Sequence, residues 1–140
     1  MTINPSKLAT KMTINPTSSA PKPWSQNALY SSKHQSWRTP GWLFELLDER
    51  YKFQLDAAAC SESALCEQWL ERDALEYISW PAERVWLNPP YGRGVGKWVA
   101  KAQWEAETYG RLVAVLIFAR TDTAWWHDHA MKAHEIYLIR

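Results

Sequence analysis

No apolar stretch in this sequence approaches the roughly 20 residues needed to cross a bilayer. The N-terminus also lacks the apolar segment that heads a secreted chain. A cytoplasmic protein with no membrane partner is expected. Net charge is nearly missing too: 16 Lys and Arg stand against 15 Asp and Glu, a formal +1. No global positive field draws the chain to nucleic acid, so any such contact must come from a local basic patch. Cysteine is scarce, with Cys60 and Cys66 the only two. Their spacing is not CxxC and two thiols cannot hold zinc unaided, so reduced, partly buried thiols are expected. Tryptophan, by contrast, is abundant at ten residues. Most of these rings must anchor a core or an interface, leaving one or two free to stack on a ligand.

The 140 residues give room for one domain around one core. Residues 1–35 are rich in Ser, Thr, Pro, Asn and Lys without periodicity, which predicts a disordered arm. The arm holds a near-repeat, Met1-Thr2-Ile3-Asn4-Pro5 and Met12-Thr13-Ile14-Asn15-Pro16, and two copies do not make a solenoid. Order is expected over residues 36–140. Thr39 reads as a helix cap with Pro40 at the first helical position, followed by Trp42, Leu43, Leu46 and Leu47. Tyr51 to Ala58 reads as a strand ending near Asp56, and residues 60–80 as a short helix and a loop around Asp73. Arg84 to Leu87 is a short buried strand stopped by Pro89 and Pro90. Val95, Trp98, Val99, Ala102 and Ala106 recur at helical spacing, with Lys97, Lys101 and Glu105 placed on the other side. Arg111 to Ala119 is a continuous apolar run, expected as a central strand covered on both faces. Thr123 to Ala133 is predicted helical and Glu135 to Arg140 a further strand. Strands alternating with helices predict an α/β sheet, mostly parallel. Such sheets bind ligands beyond the carboxyl ends of their strands, which places Asp56, Asn88 and the Ala119-Arg120 corner on one rim.

Asn88-Pro89-Pro90-Tyr91, directly after a strand, carries the strongest chemical signal. The exocyclic amine of adenine is a poor nucleophile because its lone pair is delocalised into the ring. Accepting hydrogen bonds from both amine hydrogens pushes that nitrogen towards tetrahedral geometry. The Asn88 side-chain carbonyl and the Pro89 backbone carbonyl supply two such acceptors. Proline fixes its own φ and restricts the residue before it, so the loop is stiff and its carbonyls are aimed in advance. Tyr91 offers a flat face for a base. An enzyme acting on a base in duplex DNA must extrude it into a pocket of this kind. The competing reading is a strand-ending Pro-Pro turn with an incidental tyrosine.

The order Trp37-Arg38-Thr39-Pro40, Phe53 to Ala59 (FQLDAAA), Asp73-Ala74-Leu75, Asn88-Pro89-Pro90-Tyr91, Trp98 to Ala102 (WVAKA) and Arg120 to Trp126 (RTDTAWW) is similar to the phage N-6-adenine DNA methyltransferase (Dam) family over roughly residues 36–140. The resemblance implies a Rossmann-like, S-adenosylmethionine-dependent methyltransferase sheet acting on adenine in DNA, the target base being flipped out. It implies that Thr39 and Pro40 lie against the methionine end of S-adenosylmethionine. Asp56, with Ala57 beside it, would bind the cofactor's ammonium by charge-assisted hydrogen bonding, and Asp73 would stand near its adenosine. The first loop departs from methyltransferases at large, reading Ala57-Ala58-Ala59-Cys60 where glycines are usual. The family also implies that the last strand runs on into a terminal hairpin. A chain ending at Arg140 is therefore expected to be C-terminally incomplete, with an exposed strand edge and a tendency to associate.

Other patterns are set aside or left open. Gly92-Arg93-Gly94-Val95-Gly96-Lys97 lacks the GxxxxGK[ST] spacing, so it is not an ATP loop. Arg93 and Lys97 would project near the base pocket and hold DNA phosphates, or simply start a solvated helix. His127 and His129 are two apart on a helix and share no face, so no metal is expected. Rival readings are an Asn-Pro-Pro-Tyr methyltransferase acting on protein glutamine or RNA adenine, since all these targets present a planar NH2, and a non-catalytic remnant.

Overall fold

The computed structural model describes residues 10–14 and 37–139. In chain order they form strand β1 (Thr10–Ile14), helix α1 (Gly41–Tyr51), strands β2 (Leu55–Asp56), β3 (Gln68–Trp69) and β4 (Arg84–Leu87), helix α2 (Val95–Tyr109), strand β5 (Leu112–Val115), helix α3 (Ala124–Asp128) and strand β6 (Glu135–Ile139). Short 3₁₀ turns cover Arg72–Leu75 and Ala130–Lys132. Strands β3, β2, β4 and β5 lie in that order in one sheet, with every pair parallel. Leu55 pairs with Val85, and Val85 with Val113.

Val85, Trp86 and Leu87 are all buried because β4 is covered on both faces. This is the burial that a parallel strand with helices on each side requires. On one face Leu55, Val85 and Leu87 join Trp80, Ala74, Trp98 and Ala102 in the core. On the other, Trp86 packs its ring against Phe44 of α1 and against Phe53, at centroid distances of 5.5 and 5.4 Å. Burying side chains of this size contributes about 1.5–3 kcal/mol each.

Several expectations need correction. Thr39 does not cap α1. Pro40 occupies that position, with its carbonyl accepting from the amides of Leu43 and Phe44, and no side chain caps the turn. Tyr51 ends the helix rather than starting a strand, and β2 is only two residues long. Lys52 then takes the left-handed conformation, φ 54°, usually left to glycine. Its carbonyl is held there by Arg84 Nε at 2.8 Å. The strand expected over Arg111 to Ala119 covers only Leu112–Val115. It is half-buried at the end of the described sheet, not central. The helix expected over Thr123 to Ala133 breaks at His129 into a 3₁₀ turn.

Glu105 is the largest departure. Expected on the solvent face of α2, it is instead fully buried. Its carboxylate lies 2.8 Å from both Lys101 Nζ and Arg111 Nη1, and accepts the Trp80 amide at 3.1 Å. Arg111 also donates to the Trp80 carbonyl. A buried carboxylate survives only when paired and hydrogen-bonded. This one ties α2 to the loop before β4 and to the start of β5.

Strand β6 has a partner that sequence did not foresee. It pairs in parallel with β1, Thr10 opposite Glu135 and Ile14 opposite Ile139. Five residues of the expected disordered arm are thus a strand, and the rest of residues 1–35 lies outside the described residues. Strand β6 is also fastened to α1. Tyr51 donates to Glu135 at 3.0 Å, Arg50 pairs with Glu135 at 3.4 Å, and Tyr137 donates to the same carboxylate.

Candidate active site

All four strands of the sheet are parallel, so their carboxyl ends meet on one rim. Asp56 closes β2, Asn88 follows β4, and the segment from Leu116 leaves β5. Because β2, β4 and β5 are consecutive in the sheet, Asp56 and Asn88 stand on neighbouring strand ends of that rim, as the strand-end rule predicted, while β5 ends at Val115, short of the expected Ala119-Arg120 corner.

The Asn88 side chain is held from both sides. Its amide nitrogen donates to the Trp37 carbonyl at 2.6 Å, which turns Oδ1 towards Tyr91. The Tyr91 hydroxyl lies 3.0 Å from Asn88 Oδ1 and 3.1 Å from the Leu116 carbonyl. One phenolic proton serves only one of these acceptors at a time. Asn88 Oδ1 therefore keeps at least one lone pair for an incoming donor. Burial pushes the Tyr91 hydroxyl up to about 12, so at neutral pH it remains a donor and does not act as a base. Pro89 is buried and Pro90 exposed. Among the described residues nothing donates to the Pro89 carbonyl.

Asp56 is 3% exposed. Its carboxylate accepts the Leu65 amide at 3.2 Å and the Ala58 amide at 3.4 Å, closing the loop that begins at Ala57. Burial raises its pKa while these two amides oppose the rise. Among the described residues no cation pairs with it. A buried carboxylate lacking a cation suits a positively charged ligand group. Ala57 is fully buried and gives its amide to Trp86, so it forms a floor under the loop. Asp73 is exposed on the 3₁₀ turn after β3. Thr39 and Pro40 are half-buried in the segment that enters α1, two and three residues from the Trp37 carbonyl that grips Asn88. Arg93 and Lys97 are exposed on the turn into α2 and on its first turn. His127 and His129 face different partners, the Thr121 carbonyl and Gln103.

Sequence reasoning missed two participants. The Trp37 carbonyl carries no sequence signal, because any residue has one. Phe118 lies 4.6 Å from Tyr91, centroid to centroid, and is 44% exposed. Its only sign was its place at the end of an apolar run on the ligand rim.

A parallel sheet carrying an Asn-Pro-Pro-Tyr loop on its carboxyl rim defines a Rossmann-like methyltransferase fold. Residues 26–140 match the family described as DNA N-6-adenine-methyltransferase (Dam), and the chain belongs to that family. The DNA N-6-adenine-methyltransferase of Escherichia phage T1 is 35% identical over 106 residues, a match covering 74% of this chain and 44% of that protein. The chain thus spans less than half the length of that relative. No solved structure matches it.

Proposed function

We propose that this protein transfers a methyl group from S-adenosylmethionine to the exocyclic amine of adenine in DNA. One observation carries the reading. Asn88 Oδ1 has a lone pair in reserve and the Pro89 carbonyl has no donor among the described residues, and both sit on a stiff loop beside an aromatic ring. Two fixed acceptors and a flat face are what a planar NH2 group needs to be held and made nucleophilic.

Asp56 would receive the cofactor's ammonium, with Thr39 and Pro40 along the methionine end and Asp73 towards the adenosine. S-adenosylmethionine, once bound, supplies an electrophilic methyl group on its sulfonium. Asn88 and Pro89 then orient the amine, Pro90 keeps the loop rigid, and the Tyr91 ring supports the base. Arg93 and Lys97 hold phosphates of a duplex from which the adenine has been extruded. Rate comes from positioning and preorganised acceptors. No helix among the described residues is long and apolar enough to cross a membrane.

Incubating the chain with labelled S-adenosylmethionine and a panel of DNA, RNA and protein tests the proposal. N-6-methyladenine in digested DNA, found by mass spectrometry, is the expected result. Label confined to RNA or to protein glutamine would replace DNA as the substrate, and no label anywhere would favour a non-catalytic chain.

A further inference from the structure

Phe118 leaves the fold at an unusual place for a large apolar ring. It sits where β5 opens onto the ligand rim, 44% exposed, in direct contact with the Tyr91 ring at 4.6 Å and 41°. Lone exposed hydrophobic residues are ordinary, but the backbone on both sides of this one is pinned. The Leu116 carbonyl lies 3.1 Å from the Tyr91 hydroxyl, and the Phe118 carbonyl accepts the Arg120 amide at 2.8 Å. The backbone that carries the ring is therefore fixed beside Tyr91, while the side chain itself keeps its rotational freedom.

We propose that Phe118 is a substrate-contacting residue, a second aromatic wall that stacks on the extruded base and selects a nucleobase over an aliphatic amide. The inference rests on the base-methylating reading above and assigns a new contact to the same site. At 4.6 Å the two rings touch, whereas rings enclosing a base must stand about 7 Å apart, twice an aromatic contact distance. The base therefore displaces Phe118 instead of entering a ready slot. A half-exposed side chain can make that rotation within picoseconds to nanoseconds. Until then Phe118 covers the face of Tyr91 that the base will use. A flat heterocycle gains from both rings. A glutamine side chain presents the same NH2 but no π face, so the pair favours the base.

The test uses the wild-type chain with Phe118→Leu, Phe118→Ala and Phe118→Trp on a duplex spanning a site that the wild type methylates. Phe118→Leu keeps apolar volume and removes the π face. It should raise KM for DNA about 5- to 150-fold, the range for losing one base–aromatic stack, with cofactor affinity and Tm unchanged. Phe118→Ala should do the same, and Phe118→Trp should return KM towards wild type. With 2-aminopurine at the target position, the two variants without a ring should give brighter emission, because the extruded base loses a stacking partner. A wild-type KM and emission in Phe118→Leu would overturn the inference while leaving adenine methylation intact. A wild-type chain that methylates no DNA would sink both.

Discussion

Trp125 lies so close to Gly96 that a Cβ on the glycine would sit 3.0 Å from Trp125 Cβ and 3.2 Å from its Cγ. Gly96 is in the first turn of α2, the helix that follows the Asn-Pro-Pro-Tyr loop, and Trp125 is in the first turn of α3. The glycine lets the two helices meet beside the candidate site. Gly96→Ala should be near neutral, because a helix-propensity gain of about 1 kcal/mol offsets a contact relieved by a small shift. Gly96→Val adds two methyl groups at the Trp125 contact and should cost about 1–3 kcal/mol. Thermal melts of both variants, with tryptophan fluorescence reporting the Trp125 environment, check this. A Gly96→Val protein as stable as wild type would show that α3 moves freely.

Asn88→Ala should lower kcat by about 10²–10³, the cost of losing one preorganised hydrogen-bonding group, while S-adenosylmethionine binding changes little. The substitution also leaves the Trp37 carbonyl without its donor and removes one acceptor for Tyr91. A stability loss of about 1–3 kcal/mol should accompany the kinetic one. Calorimetric cofactor titration beside a melt separates the two effects. Lost cofactor binding in a folded variant would make Asn88 a cofactor residue instead.

Glu105→Ala should destabilise the protein by about 3–5 kcal/mol, because Lys101 and Arg111 would lose a shared buried counter-charge. Glu105→Gln, which keeps an acceptor for the Trp80 amide, should lose less. Denaturant unfolding of the two variants gives the ordering. Equal, small losses would mean that water replaces the carboxylate easily.

The Tyr137 hydroxyl, then Tyr51 and Arg50, holds Glu135 below its ordinary value near 4.5. A depressed carboxylate adds stability that is present above its unfolded pKa and lost as pH falls through the folded one. The Glu135 contribution to Tm should therefore hold from neutral pH down to about 4.5 and be lost as pH falls below that, and Tyr137→Phe should drop less steeply in that acid range. Melts at stepped pH give both slopes. Parallel slopes would show that Glu135 does not link α1 to β6 in solution.

Elements with a long or unbroken pattern were legible in the sequence. The α2 stripe from Val95 to Ala106, the apolar Arg84–Leu87 strand stopped by two prolines, and the Glu135 strand all stand where expected. The rim followed from the rule for parallel strands, which brought Asp56 and Asn88 together without any contact being known. Two-residue strands such as Gln68–Trp69 leave no periodicity to read. Glu105 could not be placed because α2 spacing puts it near Lys101, whereas its burial is set by Trp80 and Arg111 from other elements. Phe118 looked like one more core residue in an apolar run, and only the fold puts its ring against Tyr91.

The parallel pairing of Thr10–Ile14 with Glu135–Ile139 sets an order of events during synthesis. The first of these strands is synthesised long before the second, and among the described residues no other strand pairs with it. Joining segments so far apart closes the largest loop among the described strand pairings, and that entropy is recovered only after the intervening sheet has drawn the two segments together. Strand β1 should then be the last piece to dock and the first to let go. A tag placed ahead of it, or a protease acting on it, would loosen the Glu135–Ile139 strand while leaving the Asn88 rim assembled.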